Sequence, residues 1–176
     1  MVLLGNGISI AWQVVDVQIT GQIPAQITKA ASLWALEISN NQFSGTIPSG
    51  IGQLWNPSSF LTSHNNISGT ILVELTSLSS LSRLSLDHNM LYGELPETII
   101  SWKGLSQLNL ANNHITGSIP ASLGLLPVIN SLDLSNNLLS GKIPPELDNL
   151  KLSFLNVSDN LLSGSVPFGY NNLAYD

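Results

Sequence analysis

Seven glycines, Gly21, Gly45, Gly69, Gly93, Gly117, Gly141 and Gly164, punctuate the chain at intervals of 24, 24, 24, 24, 24 and 23 residues. A fixed period of this length marks a stacked-repeat architecture, in which no unit buries its apolar face alone and each needs a neighbour. The period runs through nearly all of the 176 residues without a linker. One domain is therefore expected over 1–176, with a degenerate first coil and N-terminal cover over 1–32, regular repeats over 33–167 and a C-terminal cover over 168–176.

Each copy has the same grammar. Two residues after the glycine stands Ile23, Ile47, Ile71, Leu95, Ile119, Ile143 or Val166, and then Pro24, Pro48, Leu72, Pro96, Pro120, Pro144 or Pro167. Four residues before the glycine stands Asn41, Asn65, Asn89, Asn113, Asn137 or Asn160, with Val17 in the first copy. Alternating pairs such as Leu84/Leu86, Leu108/Leu110 and Leu132/Leu134 predict a short strand with those residues inward. The three-residue spacing of Ile51/Leu54, Leu75/Leu78 and Leu147/Leu150 predicts a 3₁₀ turn on the opposite side. Each repeated Asn sits where the chain leaves its strand, and its amide can donate and accept toward its own and the neighbouring coil. Asn41, Asn65, Asn89, Asn113, Asn137 and Asn160 are thus expected to form a structural ladder. The glycine permits a conformation or close approach that a Cβ would obstruct, and the proline suits an extended segment needing no donor.

Composition narrows the function. Charged residues are only 9% of the chain, against roughly 25% in an average soluble protein. With Lys29, Arg83, Lys103, Lys142 and Lys151 as the only cations besides histidine and a net charge of −6, a nucleic-acid or anionic-membrane partner is not expected. The absence of cysteine excludes a disulfide scaffold, a thiolate zinc site and a cysteine nucleophile. No segment reaches the roughly 18 apolar residues of a spanning helix. Residues 1–7 lack the basic start and apolar core of a secretory signal. The expectation is a chain whose signal has been removed, or a piece of something longer.

The side chains between the inward positions stack in outward columns on a concave sheet. The middle column reads Gln13, Glu37, Leu61, Ser85, Asn109, Asp133, Asn156. A later one reads Val15, Ser39, Ser63, Asp87, Ala111, Ser135, Ser158, and an earlier one Ala11, Ala35, Ser59, Arg83, Gln107, Ser131, Phe154. Small polar and acidic residues dominate, and Glu37, Ser39, Ser63, Arg83, Asp87, Asn109, Asp133 and Ser135 are the candidate ligand-binding residues. Serines preceding the glycines, as in Phe43-Ser44-Gly45, follow the repeat rather than any nucleophile pattern, so no enzyme and no cofactor are expected. His64 and His88 share a repeat position and should lie on adjacent coils about 5 Å apart. Asp87 precedes His88, but consecutive strand residues face opposite ways unless the strand has ended, and no third ligand is evident, so stacked polar turn residues and no metal are expected. Asn66-Ile67-Ser68 and Asn156-Val157-Ser158 are N-glycosylation acceptors, Asn66 expected on a turn and Asn156 on the concave sheet.

The run Leu105-x-x-Leu108-x-Leu110-x-x-Asn113-x-Ile115-x-Gly117-x-Ile119-Pro120 is a leucine-rich repeat, and its Gly-x-Ile-Pro continuation resembles the plant extracellular subtype. That subtype is found in receptor-like kinase ectodomains, receptor-like proteins and polygalacturonase-inhibiting proteins. The closing repeat over 155–167, followed by Ala174-Tyr175-Asp176, resembles that of HAESA-like peptide receptors. The resemblance implies an α/β solenoid, a right-handed superhelix of about seven 24-residue coils with a parallel sheet on the concave face and 3₁₀ turns on the convex face. It further implies an extracellular or cell-surface recognition module for a protein or peptide ligand, with a co-receptor as an additional partner. Family receptors hold a ligand carboxylate with paired arginines on one concave strand. This chain offers only Arg83 there, so its acidic face implies a basic or neutral partner. Inhibition of a secreted hydrolase and ice binding are the alternative functions. At the ends, Val2, Leu3, Leu4, Ile8, Ile10 and Trp12 are expected to form a makeshift first coil, and Phe168, Tyr170, Leu173 and Tyr175 a C-terminal cover. The chain is expected to be a monomer with a route to end-to-end self-association.

Overall fold

The structure, a computed structural model, describes residues 10–30, 32–54, 57–99 and 101–167. Strands Ile10–Gln13, Leu33–Glu37, Ser59–Leu61, Arg83–Ser85, Gln107–Asn109, Ser131–Asp133 and Phe154–Asn156 form one parallel sheet in chain order, the main sheet. Its register is the repeat itself: Glu37 lies opposite Leu61, Leu61 opposite Ser85, Ser85 opposite Asn109, and Asn109 opposite Asp133. The expected inward positions are the core, and Leu84, Leu86, Leu108, Leu110, Leu132 and Leu134 are all buried.

Opposite the main sheet, 3₁₀ helices cover Ala25–Lys29, Ser49–Gln53, Val73–Ser77, Ala121–Leu125 and Pro145–Asn149. In each, the residue before the helix is extended, and its carbonyl accepts the first i+3 bond, as from Ile51 to Pro48 at 3.0 Å and Leu123 to Pro120 at 3.1 Å. Leu72 takes the proline position with φ −68°, close to the ring-fixed value, which is why the departure costs the turn nothing. Ile51/Leu54, Leu75/Leu78 and Leu147/Leu150 sit on these turns as the spacing predicts. In the fourth coil Trp102 occupies the place of Leu78 and Leu126, and its Nε1 donates to the Leu75 carbonyl at 3.0 Å. No 3₁₀ helix forms there among the described residues.

A second sheet lies outside the expected grammar. Strands Thr20–Gln22, Gln42–Thr46, Asn66–Gly69, Met90–Glu94 and His114–Thr116 pair in parallel, and Ser140–Gly141 pairs with Leu161–Leu162. Here partners such as Thr20 and Gln42 or Tyr92 and His114 are 22 residues apart, which sets each repeat glycine beside an apolar residue of the next coil: Gly45 beside Ile67, Gly69 beside Leu91 and Gly93 beside Ile115. Gly93 has φ +79°, and a Cβ on it would come within 2.9 Å of Thr70 Cγ2. Both a left-handed backbone and a close approach are required at that point. The second sheet also corrects the expectation for Asn66, which lies on a strand and not on a turn, with its residue exposed.

The asparagine ladder joins the two sheets. Asn113 Nδ2 donates to the carbonyls of Leu110 and Ala111 in its own coil and of Leu86 in the coil before, at 3.0–3.1 Å. Its Oδ1 accepts the Leu91 N–H at 2.9 Å. Asn41, Asn65, Asn89, Asn137 and Asn160 repeat both halves of this pattern. Val17, in the degenerate copy, is instead exposed. One inward position is polar: Thr62 is fully buried, and its hydroxyl has no hydrogen-bond partner among the described residues.

At the first strand, Ile10 and Trp12 pack against the core, and the Trp12 and Phe43 rings meet edge to face at 6.2 Å. Val2, Leu3, Leu4, Ile8, Phe168, Tyr170, Leu173 and Tyr175 lie outside the described residues.

Removing the ladder amide in Asn113→Ala leaves buried backbone groups unpaired and is expected to lower stability by about 1–3 kcal/mol. Leu110→Ala opens a core cavity and should cost about 2–5 kcal/mol, whereas exposed Gln107→Ala should change little. Denaturant midpoints falling from Gln107→Ala through Asn113→Ala to Leu110→Ala check this register, and the reverse order contradicts it.

Candidate functional site

The outward face of the main sheet carries the expected columns in the expected register. Arg83 lies beside Ser59 and Gln107, and Asp133 beside Asn109 and Asn156. Beyond the strand ends the column of Ser39, Ser63 and Ser135 continues through backbone bonds, such as Asn40 N–H to the Ser63 carbonyl at 2.9 Å and Asn112 N–H to the Ser135 carbonyl at 3.0 Å. A shallow depression gathers Ser39, Ser63, Arg83, Ser85, Asn109 and Ser131. Ser39, Ser63, Arg83 and Asn109 are thus brought together. Glu37, Asp87, Asp133 and Ser135 are not among the residues that line it.

Glu37 and Arg83 are nevertheless linked. Glu37 Oε1 lies 3.7 Å from Arg83 Nη2 and accepts from Ser59 Oγ at 3.4 Å, while Oε2 accepts from Gln13 Nε2 at 2.9 Å. The pair spans two coil steps and keeps the guanidinium, about half exposed, over the depression.

Asp133, Asn156 and Asn109 turn to the backbone two residues further on. Asp133 Oδ1 accepts the Ser135 N–H at 3.0 Å and its hydroxyl at 2.7 Å, and Asn156 Oδ1 does the same for Ser158 at 3.2 and 2.8 Å. Asn109 Oδ1 accepts the Ala111 N–H at 3.1 Å. These side chains mimic a backbone turn where the strand ends. Asp87 departs from the pattern. Its Oδ1 accepts from both Ser63 Oγ at 2.5 Å and Ser85 Oγ at 2.7 Å. Asp87 is only 9% exposed and Ser135 only 4%, which leaves little of either for contact with a peptide laid across the face.

Sequence reasoning omitted Ser85 and Ser131 from the candidates although both stand in its columns. Their signal was position alone, since serine carries no charge to draw attention. Strand alternation separates Asp87 from His88 only if the strand continues through them. The strand ends at Ser85, and His88 takes a left-handed φ of 52°, so the alternation rule does not reach this pair.

Repeat, ladder and two-sheet coil together define a leucine-rich-repeat solenoid. The Leucine Rich Repeat family model matches residues 32–54, 104–126 and 129–150. Over 93% of its length the chain is 48% identical to the Arabidopsis receptor kinase HAESA, solved with the peptide hormone IDA and the co-receptor SERK1, with a TM-score of 0.90. It is 37% identical to the plant peptide hormone receptor RGFR1, solved with RGF2, over 88% of its length, with a TM-score of 0.85. It spans 27% and 25% of those two chains. Pollen Receptor Kinase 3 is 31% identical over 93% of this chain and 77% of its own, with a TM-score of 0.78. A search of curated protein sequences gave no match. The chain belongs to the leucine-rich-repeat family and is similar to the leucine-rich-repeat domains of plant receptor kinases.

Because both Glu37 and Arg83 are partly exposed, their coupling is expected to be below about 1 kcal/mol. A double-mutant cycle with Glu37→Gln and Arg83→Gln measures it. A coupling of several kcal/mol would instead make Arg83 part of the scaffold and remove it from the binding face.

Proposed function

We propose that this chain is a non-catalytic recognition module that binds a peptide or small protein segment along the outward face of the main sheet. The depression around Arg83 is its centre. The observation that carries this reading is the gathering of polar side chains on a strictly registered sheet, where half-exposed Arg83 stands with Gln107, Ser39 and Ser131 beside Ser63, Ser85 and Asn109, which Asp87 and the Ala111 N–H already hold in place. An extended chain laid across such columns can meet a donor or acceptor at every strand crossed. HAESA was solved with the peptide hormone IDA, and the peptide hormone receptor RGFR1 with RGF2, which supports the same class of ligand here. That kinship also supports an extracellular or cell-surface location and a co-receptor as a second partner. A single Arg83 in place of an arginine pair and the acidic Glu37 beside it favour a neutral or basic peptide over one anchored by its carboxylate alone.

Two alternatives receive less support. An ice-binding face requires a uniform array, but the exposed residues of the second sheet are chemically mixed, with Gln42, Asn66, Met90, Tyr92, Glu94 and His114. A hydrolase inhibitor would use the same outward face, and an inhibition assay separates the two readings.

Selection of a random peptide library on the intact chain, followed by binding measurements on Arg83→Glu and Asp133→Lys variants, tests the proposal. The selected peptides should bind the wild type and lose at least tenfold in affinity for Arg83→Glu. Equal affinity for wild type and both variants would move binding off this face, and lowered polygalacturonase activity at stoichiometric concentration would favour the inhibitor reading.

A further inference from the structure

The residue following the outer column takes a left-handed backbone in every coil: Asp16, Asn40, His64, His88, Asn112, Asn136 and Asp159 have φ between 51° and 59°. Asn and Asp tolerate this region well because their short polar side chains can bond locally. Two successive coils use histidine instead. Since Asn40, Asn112 and Asn136 meet the same backbone requirement, the scaffold itself does not ask for an imidazole at either place.

Stacking brings the two rings together with centroids 4.0 Å apart and planes at 88°. Asp87, next to His88 and past the end of its strand, reaches the same spot, and His64 Nε2 lies 4.0 Å from Asp87 Oδ2. One donor atom from each of His64, Asp87 and His88 falls within 4.8 Å of the other two. The carboxylate is already oriented. Its Oδ1 is held by the Ser63 and Ser85 hydroxyls, and Oδ2 faces His64. Hydrogen bonds of this kind fix the attitude of a metal-ligating carboxylate. His88 Nδ1 is buried and has no hydrogen-bond partner among the described residues, an unmet polar atom in a chain whose buried amides are otherwise bonded.

We propose that His64, Asp87 and His88 form a binding site for one divalent transition-metal ion of the zinc type. Two imidazoles and one carboxylate are the donor set that Zn²⁺ and its neighbours prefer over Ca²⁺ or Mg²⁺. Tetrahedral coordination at 2.0–2.2 Å sets neighbouring donors about 3.3 Å apart, so the observed cluster closes with a small side-chain adjustment. The half-exposed His64 ring is free to make it. Three protein donors leave one coordination position for water or for a ligand group, at the edge of the outward face beside Ser63. His64, Asp87 and His88 do not themselves line the depression around Arg83, although Ser63 and Ser85, which hold Asp87, do.

Titration of the intact chain with Zn²⁺ alone by calorimetry tests the site, together with His64→Asn/His88→Asn. That double variant installs the residue already used in the same backbone position of other coils, so it should fold with an unchanged metal-free melting temperature. The wild type should bind one Zn²⁺ per chain and melt higher with the metal, and the double variant should bind at least tenfold more weakly. Asp87→Asn should weaken binding, and His114→Asn should leave it unchanged. Imidazole resonances of the wild type provide a readout that needs no variant: those of His64 and His88 should shift together with Zn²⁺ while those of His114 stay in place. Absence of stoichiometric binding, undiminished binding in the double variant, or shifts confined to His114 would overturn the site.

Discussion

One side-chain amide per coil holds the solenoid in register. Where the chain leaves the main sheet it must turn through a buried corner, and several carbonyls and one N–H there lack strand partners. A single asparagine supplies both kinds of bond, donating to carbonyls of two coils and accepting from an N–H of the coil before, as Asn113 does for Leu86, Leu110, Ala111 and Leu91. Leaving a buried polar group unmade costs roughly 1–3 kcal/mol, so a shift of one residue anywhere would forfeit several such terms at once. The 24-residue period is kept because the amide must arrive at the same corner each time. The leucines then stack without gaps.

A strict register has a functional consequence. Positions between the inward leucines are not needed by the core, and stacking turns them into columns in which each coil contributes one variable side chain per strand position. Recognition can thus be rewritten residue by residue on an unchanged frame. In this chain the outer part of the face is partly used by the frame itself, since Asp133 and Asn156 fold onto the residues two further on and Asp87 serves two serines. What remains open to a ligand is nearer the centre, around Arg83, Gln107 and Ser131.

The main sheet, the 3₁₀ turns, the ladder and the columns were all legible in the sequence, because each follows from a spacing that repeats without change. Two features were not. The second sheet pairs residues 22 apart, not 24, and depends on glycines in a left-handed conformation, neither of which a hydrophobic period reports. It moved Asn66 from an expected turn to a strand. The His64–Asp87–His88 cluster was hidden because strand alternation applies only while the strand lasts, and the sequence did not fix that its end lies at Ser85, although Asn, Asp and His recur at the left-handed position that follows. Leu72 and Trp102 show the opposite case, in which a departure from the motif is absorbed: the first keeps the proline's φ, and the second fills the leucine's place and finds a carbonyl for its N–H.

Native-state hydrogen exchange tests the central role of the ladder most directly. The amides of Phe43, Ile67, Leu91, Ile115 and Leu139 each donate to a ladder asparagine of the following coil. If the ladder couples the coils, those in the central coils should exchange only through global unfolding, with the same protection as the strand amides of Leu84 and Leu108. Exchange of Ile67, Leu91 and Ile115 at the rate of exposed turn amides, while Leu84 and Leu108 stay protected, would show that the coils are held by their leucines alone.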